Sequence, residues 1–320
     1  MTPADLSLTV LHAVRRAVDD GALRVEVPPR VKVERARPGG AGEYASNVAL
    51  SLARSAGRSA REVAGIIEER LRDAPGLRSV EITGPGFLNF TLRGDAGIDL
   101  VRTVLAGGFA YGHGDALAGT SVRFADVTES RAVLVTDVVV RLLRSQGADA
   151  GFGGRERMYV LPGAYEGERL GRDAARWALL RAAPHDRPLD GAPLLAQHER
   201  NSLFRVRYAY SRTRRLLVNG EQLHITPSYE TPVDAPELLG VLGDHPLVLL
   251  AAARHRAPDR VARHLEAVAD ALLAFQHTVL PLGDEKPSAA HRSRLALAEA
   301  AGTVLAGGLS VLGISAPDRI

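Results

Sequence analysis

The chain has 320 residues, enough for two or three domains each with its own core. Its 46% hydrophobic and 24% charged residues are ordinary for a globular protein, and the lack of cysteine excludes disulfides, thiolate metal sites and cysteine nucleophiles. The pI is about 9.4 but the formal net charge is only +3, so a nucleic-acid function has to be argued from clustered arginines rather than total charge. Lys32 and Lys286 are the only lysines. No signal-peptide pattern opens the chain and no apolar run of about 18 residues is evident, so a cytoplasmic location without a membrane is expected.

Thr2 and Pro3 start a predicted helix whose stripe, Val10, Leu11, Val14 and Val18, runs to about Asp20. Strand-like alternation follows in LRVEV and VKVER around Pro28 and Pro29, then a glycine-rich loop, Pro38 to Gly42. Gly42 to Arg54 opens another helix. Ser59 and Glu62 are spaced as a capping box for the next, with Val63, Ile66, Ile67 and Leu71 on its core face. Two strands, SVEIT and FLNFTL, flank Gly84-Pro85-Gly86, and Asp95 to Ala106 closes a compact α/β unit.

A second glycine-rich loop, Gly107 to Gly119, marks a boundary. SVRFADV reads as a buried strand, Ala132 to Gln146 as a helix, MYVLPG as a short strand and Gly171 to Ala183 as a helix carrying Trp177. Asn201 to Leu217, NSLFRVRYAYSRTRRLL, holds five arginines without an acid, interleaved with Phe204, Tyr208 and Tyr210. Taken alone it fits both a solvated arginine-rich helix and a surface that neutralises phosphates and stacks on unpaired bases. A long polar loop, Gly220 to Pro236, leads to helices over Leu238 to His255, Asp259 to Val279 and Ser293 to Leu312.

Several of these segments resemble the arginyl-tRNA synthetase family. GEYASNVALSLAR and GPGFLNFTL are similar to its N-terminal additional domain, GRDAARWALLR to the segment leaving its catalytic domain, and RYAYSR to the segment that opens its anticodon-binding bundle. RVARHLEAVADALLAFQHTV and the stretch from Arg294 to Ile320 resemble the rest of that bundle, the DALR domain. Tyr210 stands where the family has histidine, and Ile320 where it ends in methionine.

The resemblance implies an α/β plus all-α fold: a tRNA-binding N-terminal domain over 1–118, a reduced Rossmann-like remnant over 119–200 and a helical bundle over 201–320. It implies tRNA contacts at Tyr44, Asn47, Phe87 and Asn89, of which Phe87 could equally be core, and at Arg205, Tyr208, Tyr210, Arg212, Arg260, Arg263 and His264. Arginine tRNA is the expected partner, with a synthetase or another protein as a further possibility.

The middle departs from the family. Between SVRFADV and the next helix lies only Thr128 to Arg131, TESR, with no histidine pair to hold ATP phosphates at the helix N-terminus. LPGAYEGERLG, before GRDAARWALLR, lacks the lysine and serine of the family's second phosphate loop. No catalytic residue, no metal and no cofactor are therefore expected, and the ATP site is expected to be lost. Two alternatives stay open: residual or partner-assisted catalysis on aminoacyl-tRNA, and a protein-interaction scaffold that has lost tRNA. P-loop, zinc-protease and serine-elbow motifs are absent. His113 reads as a solvated loop residue, and His185, Asp186 and Asp190 as a turn.

Overall fold

The computed structural model describes residues 3–36, 41–92 and 96–320. Thr2, Pro38 to Gly40 of the expected loop, and Asp95 lie outside them. The chain divides into two compact units, Met1–Leu100 and Val101–Ile320.

In the first unit, helix α1 (Pro3–Asp19) buries Leu6, Val10, Val14 and Ala17 completely, at the spacing of one helix face. The alternating run after it does not become two strands: only Glu34–Arg35 pairs, as β1. Pro28 and Pro29 carry no N–H for a ladder. The apolar alternation nevertheless places Leu23, Val31 and Val33 in the core. Then come β2 (Tyr44–Ser46), α2 (Val48–Ala56), α3 (Ala60–Glu69), β3 (Leu77–Thr83) and β4 (Phe87–Leu92). The strands form one antiparallel sheet in the order β1-β2-β4-β3. The capping box forms as its spacing predicts: Ser59 Oγ accepts from Glu62 N at 3.2 Å and Ser59 N donates to the Glu62 carboxylate at 2.9 Å.

Gly86 makes the β3–β4 turn possible. Its φ of 140° suits glycine, and a Cβ would stand 2.7 Å from the carbonyl of Ala60. The turn is thereby pressed against the start of α3.

Helix α4 (Ala96–Gly107) straddles the division between the units. Beyond it, β5 (Ser121–Phe124), α5 (Ser130–Ser145) and β6 (Asp149–Phe152) form one βαβ crossover, with the two strands parallel. MYVLPG does not extend this sheet. Leu161 N donates to Pro184 O and Gly163 N to the Glu129 carboxylate, so its donors serve loops and a cap rather than a strand. Helices α6 (Gly167–Leu170) and α7 (Arg172–Leu180) follow.

The bundle consists of α8 (Ser202–Gln222), α9 (Pro236–His255), α10 (Asp259–Phe275) and α11 (Ala289–Leu312). The βαβ remnant and the bundle share one unit, joined by Trp177 of α7. Its ring is fully buried and its Nε1 donates to Ser202 Oγ at 3.0 Å. On α10 the stripe Val261, Leu265, Val268 and Leu272 is fully buried, as its spacing predicts. By length and composition α9 and α11 could each cross a membrane, contrary to the expectation of no such run. In α11, 78% of the apolar window is buried, the pattern of a bundle's central helix.

Candidate nucleic-acid interface

Helix α8 starts where Asn201 caps it, its Oδ1 accepting from Phe204 N at 3.1 Å. Its inner face buries Leu203, Val206, Ala209, Thr213 and Leu216. The geometry of 100° per residue then fixes what faces outward. Phe204, Tyr208, Arg212 and Arg215 fall within one narrow sector, with Arg205 on its edge.

Phe204 and Tyr208 stack, ring centroids 5.7 Å apart at 17°. Tyr208 is exposed and so is Arg215, for which no partner occurs among the described residues. Arg205 is tied to α10 and Arg212 to the residue that caps its C-terminal end. Arg212 Nε donates to Gln276 Oε1 at 2.7 Å; Arg205 Nε lies 2.7 Å from Asp270 Oδ1, an ion pair without hydrogen-bond alignment, and its Nη1 donates to Glu199 O at 3.0 Å. These contacts position the two guanidinium groups at the border of the stripe while leaving each partly open.

Arg260 and Arg263 are both exposed on α10. Arg263 lies seven residues, about 10 Å, before Asp270 on the same face, and pairs loosely with Asp259 at 3.4 Å. They extend the basic edge beyond the start of α8.

Two of the residues expected at this surface lie elsewhere. His264 is buried, 8% exposed, and stacks on His245 with centroids 5.2 Å apart. Burial lowers its pKa to about 4, and its Nε2 has no hydrogen-bond partner among the described residues. It faces the core because it sits beside Leu265 on the inner side of α10. Tyr210 is some 200° around α8 from Tyr208. Its hydroxyl donates to Asp318 at 3.3 Å, the residue that also accepts from Arg214 Nε at 3.1 Å and, through its carbonyl, from Ser211. Burial first, and then the Asp318 charge, raise the pKa of Tyr210. The segment after α11 thus lies along a different side of α8 from the stripe.

The four residues expected in the first unit also separate. Tyr44 is 7% exposed within the core, its Cα paired with Phe90 across β2 and β4. Asn89 is buried and its amide donates to Thr83 Oγ1 at 2.7 Å and Glu81 O at 3.3 Å, so it fastens the hairpin. Asn47 is exposed at the N-cap position of α2 without making a side-chain cap. Phe87, the one that could have been core, is 41% exposed at the mouth of the Gly86 turn. Continuing the β2–β4 register by one residue sets Asn47 opposite Phe87. Beside this pair Arg61 donates to Gly84 O at 3.2 Å, a cation that the sequence did not single out because a lone arginine after a cap carries no pattern.

The site expected to be empty of ATP chemistry has a specific structure. Glu129 caps α5: its Oε2 accepts from Ala132 N at 2.7 Å and its Oε1 from Gly163 N at 2.9 Å. Burial works against its charge, but the N–H groups of Gly163, Ala132 and Arg131 and the Arg131 charge outweigh it, holding the carboxyl below its usual range. Arg131 is fully buried and donates to five carbonyls, those of Leu161, Leu179, Ala182, Ala183 and Asp186. Glu129 of TESR therefore occupies with its own carboxylate the helix N-terminus that would otherwise receive an anion, while Arg131 is spent on backbone carbonyls.

The fold and these surfaces define a class: a small α/β domain combined with a basic, aromatic-striped helical bundle around a short βαβ remnant. Residues 8–92 match the arginyl tRNA synthetase N terminal domain and residues 206–320 the DALR anticodon binding domain. The arginine–tRNA ligase of Frankia alni is 40% identical over 201 residues, covering 60% of this chain and 35% of that one; the Micrococcus luteus ligase is 40% identical over 164 residues, covering 47% and 30%. Among solved structures, Thermus thermophilus arginyl-tRNA synthetase aligns with a TM-score of 0.70 at 12% identity over 100% of both chains. The Plasmodium falciparum enzyme aligns with 0.68 at 9% over 99% of each. The chain belongs to the arginyl-tRNA synthetase family, and spans about a third of the length of the curated relatives it matches.

Proposed function

We propose that this chain binds tRNA, arginine tRNA first among them, and does not activate arginine. The observation that carries the binding is the outward stripe on the first helix of the anticodon-binding domain, in which Tyr208 and Arg215 are exposed and Phe204 and Arg212 half-buried. Guanidinium groups beside a stacked aromatic pair suit an unpaired loop, where phosphates set affinity and bases stack on rings. In the first unit, Asn47 and Phe87 offer a second, smaller contact to the same RNA.

The loss of activation is supported by Glu129. Adenylate formation needs preorganised positive charge around transferring phosphates, and single contacts of that kind are typically worth about 3 kcal/mol, or 100-fold in rate. Here a carboxylate occupies the helix N-terminus, adding repulsion to a missing attraction. No ATP and no metal take part in the proposed activity.

Filter binding of purified chain to arginine tRNA and to bulk tRNA, with ATP–pyrophosphate exchange on the same preparation, tests both halves. Micromolar or tighter binding without arginine-dependent exchange is expected. Exchange above the blank would overturn the assignment of the remnant as inactive, and no binding at low salt would favour a protein scaffold.

A further inference from the structure

Three guanidinium groups converge on the C-terminal end of α11. Arg176 donates through Nε and Nη2 to Leu312 O at 3.1 and 2.9 Å, and Arg172 Nη2 approaches Gly313 O at 3.4 Å. Arg141 comes from α5. At Gly313, where φ is 69°, a Cβ would stand 2.4 Å from Arg176 Nη2 and 3.0 Å from Arg141 Nη1. The two groups share one glycine, whose left-handed φ also favours that residue.

The charge around them does not balance. Asp137 accepts from Arg141 at 2.7 Å. Asp173, the neighbour of Arg172, is turned toward Arg207, at 3.7 Å, and toward Ser315. The end of α11 adds roughly half a negative charge. Three cations thus face about one and a half counter-charges. Burial first, and then Arg141 and Arg172 against the opposing charge of Asp137, press the pKa of Arg176 below its usual value.

Arg141 and Arg172 are exposed, and they open onto a cleft of about 440 Å³ whose other walls include Phe109, Tyr210 and the backbone at Gly313 to Ala316. Phe109 is 65% exposed, its backbone resting on Gly307 while its ring stands in solvent. A forked cation pair fits phosphate, and an open ring fits a base. The volume lies within the roughly 300–1,000 Å³ of small-ligand sites. Arg141 sits eleven residues, about 16 Å, along α5 from its Glu129-capped start, so the cleft is separate from the lost phosphate position.

We propose that this cleft is a nucleotide-binding site, with phosphate between Arg141 and Arg172 and base against Phe109. It takes either a free mononucleotide or one nucleotide of a bound RNA, and it does not depend on what the α8 stripe binds.

Calorimetric titration of the full chain with AMP, adenosine, inorganic phosphate and a single-stranded tetraadenylate tests it. AMP or the tetramer should bind at least tenfold more tightly than adenosine and than phosphate. Arg141→Gln with Arg172→Gln should remove that preference, and Phe109→Ala should weaken binding about fivefold, both with an unchanged thermal midpoint. Binding of AMP identifies a free-nucleotide site; binding of the tetramer alone identifies an RNA subsite. Inorganic phosphate binding as tightly as AMP, no binding of either nucleotide, or a double variant that binds like the parent chain would overturn the assignment.

Discussion

Tyr208 and Arg215 share one face of α8, and in the proposed complex they would serve RNA in different ways. Tyr208 offers a ring already stacked on Phe204, and an aromatic–base contact is worth about 1–3 kcal/mol by alanine substitution. Tyr208→Ala should therefore weaken tRNA about 5- to 160-fold, measured by filter binding. Arg215→Ala removes one exposed cation and should weaken all tRNAs alike. Tyr210→His should weaken tRNA less than Tyr208→Ala does, since Tyr210 points to Asp318 rather than into the stripe. At the opposite extreme of burial, Arg131 holds five carbonyls away from water. Arg131→Met keeps the volume but orphans those acceptors, and should cost about 3 kcal/mol or more in a urea melt.

Helices α9 and α10 meet across a polar contact inside an apolar bundle: Tyr111 stacks on His245 at 5.8 Å, and His245 on His264 at 5.2 Å. Burial lowers the pKa of both histidines, that of His264 to about 4, whereas an unfolded histidine titrates near 6.5. The unfolded chain therefore takes up the proton first, so stability is full above about pH 6.5 and falls as the pH drops toward 4. His264 alone should account for about 2 kcal/mol lost between pH 7 and pH 5. His264→Phe should remove about that share of the pH dependence of the urea midpoint over that window, leaving the share that His245 contributes. The same helix shows how much was legible in sequence. The 3-4 spacing of Val261, Leu265, Val268 and Leu272 marks the inner face of α10, but the resemblance that puts His264 among the tRNA contacts carries no sign of its burial beside Leu265 or its stacking on His245, which are tertiary facts. In α8 the aromatic and basic residues were visible as a set. Which of them share a face needed the buried side, and the Asp318 contact that holds Tyr210 comes from over a hundred residues away. In the first unit the capping box was local and readable. Phe87 was harder, because its exposure depends on Gly86 lying against Ala60.

Across the molecule, the parts that match the arginyl-tRNA synthetase family are the two ends, residues 8–92 and 206–320. Between them the middle segment keeps a packing role through α7, which places Trp177 against Ser202 and, just past its end, the guanidinium of Arg181 on Glu266 of α10 at 2.6 Å. It thus supports the bundle that carries the stripe, which gives a physical reason to retain a fragment whose helix N-terminus is closed by Glu129. On the proposed reading the bundle's stripe, and not the diffuse charge of a chain with a net +3, holds tRNA. The most direct measurement is the salt dependence of tRNA binding by the parent chain and by Arg212→Ala with Arg215→Ala. The account predicts a linear fall of log affinity with log salt in the parent chain and a slope smaller by about 2 in the double variant, roughly one for each phosphate contact removed. Equal slopes and equal affinities for the two chains would contradict it.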